Sequence, residues 1–354
     1  MALHKYPDKK ILLGLLVVGF VASFIGRQLE FTGPIIANKL GLQMASVVGS
    51  SSSTFPDEVT LSPISFSGNP KITLGFVGDI MLDRGVKKSV EKNLSSDYAK
   101  LFEKADFLKS PDIMLVNLEG PASDEGYDKQ NLYSFRMDPR IIPLLKESGI
   151  DVVKVANNHA GDWGINAFKD TLVELRNSGI ATCGGGLNKE EAIQPAVITK
   201  DGYDVGFICF TDVGPESLVA TNTTAGLLSA KDPEFESIIK NASEKVDALI
   251  VAFHWGDEYK QTHNARQEEL AKLAIENGAI LVVGDHPHVA QDTMEIAGVP
   301  VIYSLGNFIF DQAFSKETME GLFVTADLQD KKISNLQKNK IVLDEYFVPS
   351  EIGS

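Results

Sequence analysis

The feature that most constrains this chain is one local pattern used repeatedly: a short apolar run that stops at polar or ionisable residues. Residues 280–283, Ile-Leu-Val-Val, lead into Gly284-Asp285-His286-Pro287-His288. A run of four apolar residues fits a buried strand, and Gly284 reads as its end. Alternate side chains of an extended segment point the same way. His286 and His288 are therefore expected to aim at one point just past the strand. Open α/β sheets put their ligand sites at that end. The same pattern delivers Asp79 after 71–78, Glu119 after 113–116, Asn158 and His159 after 151–156, and His254 after 248–253. Four of the six histidines, namely His159, His254, His286 and His288, come directly after hydrophobic runs. Randomly scattered histidines would not do that.

Between these runs the spacing predicts helices over 86–109, 139–148, 164–178, 231–245 and 264–277. Further strands are expected up to Cys183 and at 299–303. Residues 195–211 read as a hairpin around Asp201-Gly202. Residues 212–230 read as an irregular loop. The tail from 321 alternates like sheet. Parallel-type strands separated by helices, then late antiparallel strands, predict an α/β core extended by a second sheet.

The N-terminus differs in kind. Residues 11–26 carry no charge and follow Lys5, Lys9 and Lys10. Sixteen helical residues span about 24 Å, slightly short of a hydrocarbon core of roughly 30 Å, and flanking residues can snorkel. The expected organisation is a cytoplasmic tail over 1–10, a transmembrane signal anchor over 11–29, an extracytoplasmic stalk over 30–70 and a folded domain over 71–348. The lysines on the N-terminal side set that orientation. A cleaved signal peptide, with Val21-Ala22-Ser23 as its small-residue site, is the rival reading. The stalk is rich in serine and proline, and 35–48 has some helical periodicity.

A formal charge of −15 argues against a nucleic-acid partner, because phosphate binding needs a basic footprint. It is compatible with divalent metal. Cys183 and Cys209 read as two buried thiols, or as one disulfide if the domain lies outside the cell. Taken together, the strand ends offer carboxylate, amide and imidazole donors. That mixture suits Mn, Fe, Zn or Mg better than a thiolate site does. Asp79 has a second reading as a helix cap, and His159 as part of a turn. Arg136 reads either as a contact for an anionic substrate or as a solvated surface residue. Phe308–Phe314 reads as core or as a partner surface.

Six segments in order resemble the CapA (poly-γ-glutamate capsule biosynthesis) family, a branch of the calcineurin-like metallophosphoesterases. They are GDIMLDRG at 78–85, NLEGP at 117–121, ANNHAGDWG at 156–164, FHWGDEY at 253–259, GDHPHV at 284–289 and YSLGNFIFD at 303–311. The resemblance implies a calcineurin-like metallophosphatase sandwich, α/β (α+β), of two mixed sheets flanked by helices, with one or two divalent ions at the strand ends. It implies that Asp79 and His288 hold a first ion and that Glu119 bridges. Asn158, His254 and His286 then complete a second ion, and His159 is the general acid. Two departures stand out. Met81 sits where the phosphoesterases place a histidine, and Glu119 is one methylene longer than the usual bridging aspartate. The first ion site is thereby expected to be weakened, with Asp83 as a substitute donor.

The resemblance implies capsule polymer synthesis or export as the process. One reading is a metal-dependent hydrolase or transferase acting on a phosphate ester or on poly-γ-glutamate, with Arg84 and Arg136 forming a local cationic groove for the anionic substrate. The other is a non-catalytic polymer-binding or scaffold subunit beside capsule-synthase membrane proteins. The acidity and the membrane-proximal position argue against a nucleic-acid phosphodiesterase.

Overall fold

The computed structural model describes residues 69–352. The expected anchor, stalk and 35–48 helix lie outside the described residues. Among the described residues no helix is long and apolar enough to cross a membrane.

The chain opens with β1 (Ile72–Ile80), helix α1 (Arg84–Asn93), β2 (Ile113–Leu118), α2 (Ile141–Glu147) and β3 (Val152–Lys154). Helix α3 (Gly164–Asn177) leads to β4 (Ala181–Cys183), the two-residue β5 (Gly185–Gly186), the short α4 (Lys189–Ala192) and the hairpin of β6 (Ala196–Lys200) and β7 (Tyr203–Thr211). Then follow β8 (Gly226–Leu227), α5 (Phe235–Ser243), β9 (Ala248–His254), α6 (Ala265–Glu276) and β10 (Leu281–Asp285). The last strands are β11 (Thr293–Ile296), β12 (Val299–Ile302), β13 (Asn307–Ile309), β14 (Glu320–Gln329), β15 (Lys332–Leu343) and β16 (Pro349–Ile352).

Two mixed sheets result. The larger runs β16-β15-β14-β1-β2-β3-β4, with β13 pairing to the far end of β1. The smaller runs β11-β12-β10-β9-β7-β6. Strands β1 to β4 are parallel, as are β7, β9, β10 and β12. Their carboxyl ends therefore share an edge within each sheet. The antiparallel tail extends the first sheet rather than building a second one. The second sheet comes from the middle of the chain.

Period-two alternation explains how the sheets face one another. In β9, Ala248, Ile250 and Ala252 join the core between the sheets, while Leu249, Val251 and Phe253 join a second cluster that includes Phe235, Ile239 and Leu270 of α5 and α6. Strand β10 does the same, with Leu281 and Val283 inward and Val282 toward the helices. Continuing the alternation turns His254 and Asp285 toward the other sheet.

Several expectations are corrected. Gly284 does not end its strand; it lies inside β10, where a Cβ would collide with the Trp255 indole and the Tyr303 carbonyl. That gap lets Trp255 Nε1 donate to Tyr303 O at 2.8 Å. The helix expected over 86–109 stops at Asn93, because Ser95 and Ser96 take positive φ (61° and 58°) and short 3-10 turns follow. Serine and asparagine compete with the helix through local hydrogen bonds. The two cysteines are not free thiols: Cys183 of β4 and Cys209 of β7 form a disulfide, with Cα atoms 5.3 Å apart, that joins the two sheets.

Candidate metal centre

The larger sheet supplies oxygen donors. Asp79 is fully buried within β1, and its Oδ1 accepts from Asn117 Nδ2 at 2.7 Å. Asn157 Nδ2 donates to Leu118 O (2.8 Å) and contacts Asn117 Oδ1 (3.3 Å), tying the end of β3 to the end of β2. Of the adjacent asparagines, Asn157 is thus structural, and Asn158 is the one that reaches the site. Glu119 is fully buried just past β2, and neither carboxylate oxygen has a hydrogen-bond partner.

The smaller sheet supplies nitrogens. His254 ends β9, and its Nε2 lies 2.7 Å from Asn158 Oδ1. The rings of His254 and His286 are 4.8 Å apart between centroids. His286 and His288 do not continue an extended strand, as the alternation predicted. They adopt φ of 103° and 58°, and the strand stops at Asp285. Positive φ is strained for a residue with a Cβ, and such strain persists where surrounding structure over-determines it. The bend carries His288 across to the larger sheet. Its Nδ1 donates to Asn307 Oδ1 (3.0 Å), because the Asn307 amide nitrogen is already committed to Thr318 O and Gln312 Oε1. That leaves the Nε2 lone pair of His288 facing Glu119 Oε1 at 3.7 Å. A lone pair opposite a carboxylate is unfavourable unless a proton or a metal cation stands between them, and 3.7 Å is too long for a shared proton.

His159 approaches from the side. Its Nδ1 lies 2.7 Å from Asp162 Oδ2 and its Nε2 3.8 Å from Glu119 Oε1. Asp162 can only accept, so Nδ1 carries the proton and Nε2 looks into the site. Asp162 is itself held by Phe135 N and Asn131 Nδ2, both at 2.9 Å. The Phe135 ring packs against the imidazole, centroids 3.9 Å apart and planes tilted by 31°.

Electrostatics agree with this geometry. Burial first, then the charges of Asp79 and Asp285, push the Glu119 carboxyl well above its usual range. Burial drives His254 and His286 well below the ordinary imidazole value, helped by Lys154 beside His254 and by His254 beside His286. Neutral imidazoles are the ligating form. Besides both Glu119 oxygens, Asp79 Oδ2, His254 Nδ1 and His286 Nδ1 are buried without hydrogen-bond partners. Buried polar atoms are normally paired. Two donor groups form among the described residues, each with its atoms within 4.8 Å of one another: Asp79, Glu119 and His254; and Glu258, His286 and His288. This donor set fits a bound divalent cation.

The other candidates divide. Met81 is buried, and its sulfur faces the Asp83 backbone N–H at 3.2 Å. Asp83 does not stand in as a donor; its Oδ2 accepts from Arg136 N at 2.8 Å. Arg84 reaches the cleft above the site, about 190 Å³ in volume, that it lines with Tyr133, Phe135, His159 and His288. Its guanidinium is held by Asp311 through bonds of 3.1 and 2.9 Å. Arg136 is not part of that lining and stacks on Trp163 at 3.8 Å. Phe308 and Phe310 are core, whereas Phe314 is exposed at the cleft mouth against Tyr259. The sequence reading missed Glu258, Asp162, Asn307 and the buried ion pair of Lys154 with Asp285. An acid close behind a strand end was the available signal for Glu258 and Asp285, but their directions were not readable.

Fold and site together define an α/β two-sheet domain with a buried carboxylate–imidazole centre at the strand ends. Residues 73–312 match the family model described as "Bacterial capsule synthesis protein PGA_cap", and the chain belongs to that family. It is 33% identical over 249 residues to the "PGA biosynthesis protein CapA" of Bacillus subtilis, covering 69% of this chain and 65% of that one. It is 31% identical over 280 residues to the "Capsule biosynthesis protein CapA" of Bacillus anthracis, covering 76% and 67%. The chain thus spans about two thirds of the length of these curated relatives. Among solved structures it is similar to a hypothetical protein from Thermus thermophilus (TM-score 0.48, 15% identity, 76% of this chain and 98% of that one). It is also similar to a 5'-nucleotidase precursor from the same organism (TM-score 0.44, 13% identity, 79% and 56%). Likenesses that distant carry no chemistry across.

Proposed function

We propose that this chain is a membrane-anchored, extracytoplasmic protein of poly-γ-glutamate capsule biosynthesis or export, with a metal-dependent hydrolase site of phosphoesterase type. Family membership and the names of the two Bacillus relatives support the process. One observation carries the chemistry: Glu119 is fully buried with both oxygens unpartnered, yet surrounded by Asp79, His159 and His288. Without a cation that arrangement is costly, since a buried unpaired carboxylate loses its hydration for nothing. Asp79, Glu119, Asn158, His254, His286 and His288 are the residues that would hold one or two ions. Such ions supply Lewis-acid polarisation of an ester oxygen and acidify water.

The chain's own groups then divide the remaining tasks. Asp162 holds the proton on His159 Nδ1 and so orients Nε2 as the nitrogen that would pass a proton to a leaving oxygen. Phe135 packs against one face of that ring and keeps water from it. Because Arg84 is tied to Asp311, the cleft presents a fixed dipole rather than a free cation. The uncharged run over 11–26 supports an anchor that places the domain outside the cytoplasm.

The test is metal content and hydrolysis of a generic phosphodiester by the full chain, stripped and reloaded with Mn²⁺. The expected result is bound metal and turnover, with loss of at least about 100-fold in both His254→Ala and His159→Ala. His159→Ala should keep its metal, and His254→Ala should not. A wild-type protein that takes up no metal and turns over nothing supports the non-catalytic scaffold instead. Protease accessibility of the domain in intact spheroplasts tests its side of the membrane.

A further inference from the structure

We propose that Glu258 is a metal ligand, completing with His286 and His288 a two-imidazole, one-carboxylate set for a first-row divalent ion. This rests on the metal-centre reading above and adds a donor to it. The donor atoms of the three residues lie within 4.8 Å of one another. His286 is 6% exposed, and its Nδ1 has no hydrogen-bond partner. His288 has its Nδ1 committed to Asn307, which frees Nε2 as a lone pair. Two imidazoles and one carboxylate are a sufficient protein set for zinc or ferrous iron, with positions left for water or substrate.

Glu258 is not placed there by chance of a loose surface loop. Tyr259 N donates to Pro287 O at 2.8 Å, which pins the turn after β9 onto the turn carrying both histidines. Tyr259, His286 and His288 all take positive φ, 63°, 103° and 58°. Strained backbone on both sides of one hydrogen bond is the mark of a geometry held for its side chains.

The experiment is a Mn²⁺ and Zn²⁺ count per chain, by elemental analysis and by calorimetric titration, on the full chain and its Glu258→Gln and Glu258→Ala variants. Each variant is expected to hold one ion fewer than wild type, or to bind it at least about 10-fold more weakly. Glu258→Asp should recover part of the loss. Glu258 is solvent-exposed, so the metal-free variants should melt with the wild type, which separates ligand loss from misfolding. The Co²⁺-loaded proteins give a second readout, a change in the visible absorption bands. Variants that titrate like wild type overturn the assignment while the metal centre stands. A wild type that binds neither ion overturns both.

Discussion

The two sheets meet the site with different chemistry. The larger one brings Asp79, Glu119 and Asn158, all oxygen donors, from β1 and the turns after β2 and β3. The smaller one brings His254, His286 and His288 from β9 and the turn after β10. The Asp79, Glu119 and His254 group draws on both sheets, whereas Glu258, His286 and His288 all follow strands of the smaller one. The full donor cluster forms only where the two edges are held in register, and covalent and ionic ties cross between the sheets. The Cys183–Cys209 disulfide joins β4 to β7. Lys154, buried at the end of β3, pairs with Asp285 and donates to Phe253 O at 2.8 Å on the other sheet. The Asp79, Glu119 and His254 group depends on the seam rather than on either half.

Cutting the ties is the way to break that comparison, and the ion pair should matter most. Lys154→Met leaves Asp285 buried without its partner and should cost about 3–5 kcal/mol in chemical denaturation. Lys154→Met with Asp285→Leu should recover most of this, because the uncompensated charge is gone. A double variant as unstable as the single one would mean that Lys154 acts through packing alone. Next comes the disulfide, which closes a sequence separation of 26. Cys183→Ser with Cys209→Ser should cost about 3.5 kcal/mol by the chain-entropy argument. An equal loss in wild type on adding reductant would confirm the bond as the cause.

Glu119 and the two buried imidazoles should titrate in opposite senses. His254 and His286 are held below their ordinary value of 6.5, so the folded state resists their protonation. Stability of the metal-free protein is fully present above pH 6.5 and should fall as pH drops below it, by up to about 1.4 kcal/mol per pH unit for each histidine. Glu119 is held above its ordinary 4.5, so its contribution is full below pH 4.5 and is lost as pH rises through its folded value. Glu119→Gln should accordingly stabilise the metal-free protein at pH 7, by about 1–3 kcal/mol for a buried unsatisfied charge. The same variant should lose the rise in melting temperature that Mn²⁺ gives wild type. A Glu119→Gln protein that is less stable without metal would show the carboxylate to be satisfied by something other than a cation.

Much of this was legible beforehand because it is local. Apolar runs buried on both faces announce parallel strands, and Asp79, Glu119, Asn158, His254, His286 and His288 each sit where such a run stops. The hairpin at 196–211 was legible from Asp201-Gly202, since that pair favours the tight turn between two strands. Reading failed where direction beyond a strand mattered. The period-two rule applies to His254, which is still in β9, and it fails at His286, where φ turns positive. Arg84 and Arg136 looked alike in the sequence, yet one meets Asp311 at the cleft and the other lies on Trp163. Their difference depends on partners some 200 residues and some 30 residues away.

By itself, then, the order of residues determined which strands would form and which donors would stand at their ends, because backbone periodicity and burial act over a few neighbours. It determined the family as well, through the ordered motifs from Asp79 to Asp311. Only the tertiary structure decided which donors meet. Sheet pairing, the Cys183–Cys209 link, the Lys154–Asp285 pair and the approach of Glu258 to His286 and His288 all join positions far apart in the chain. Their energies depend on distances of a few ångströms that local preference does not set.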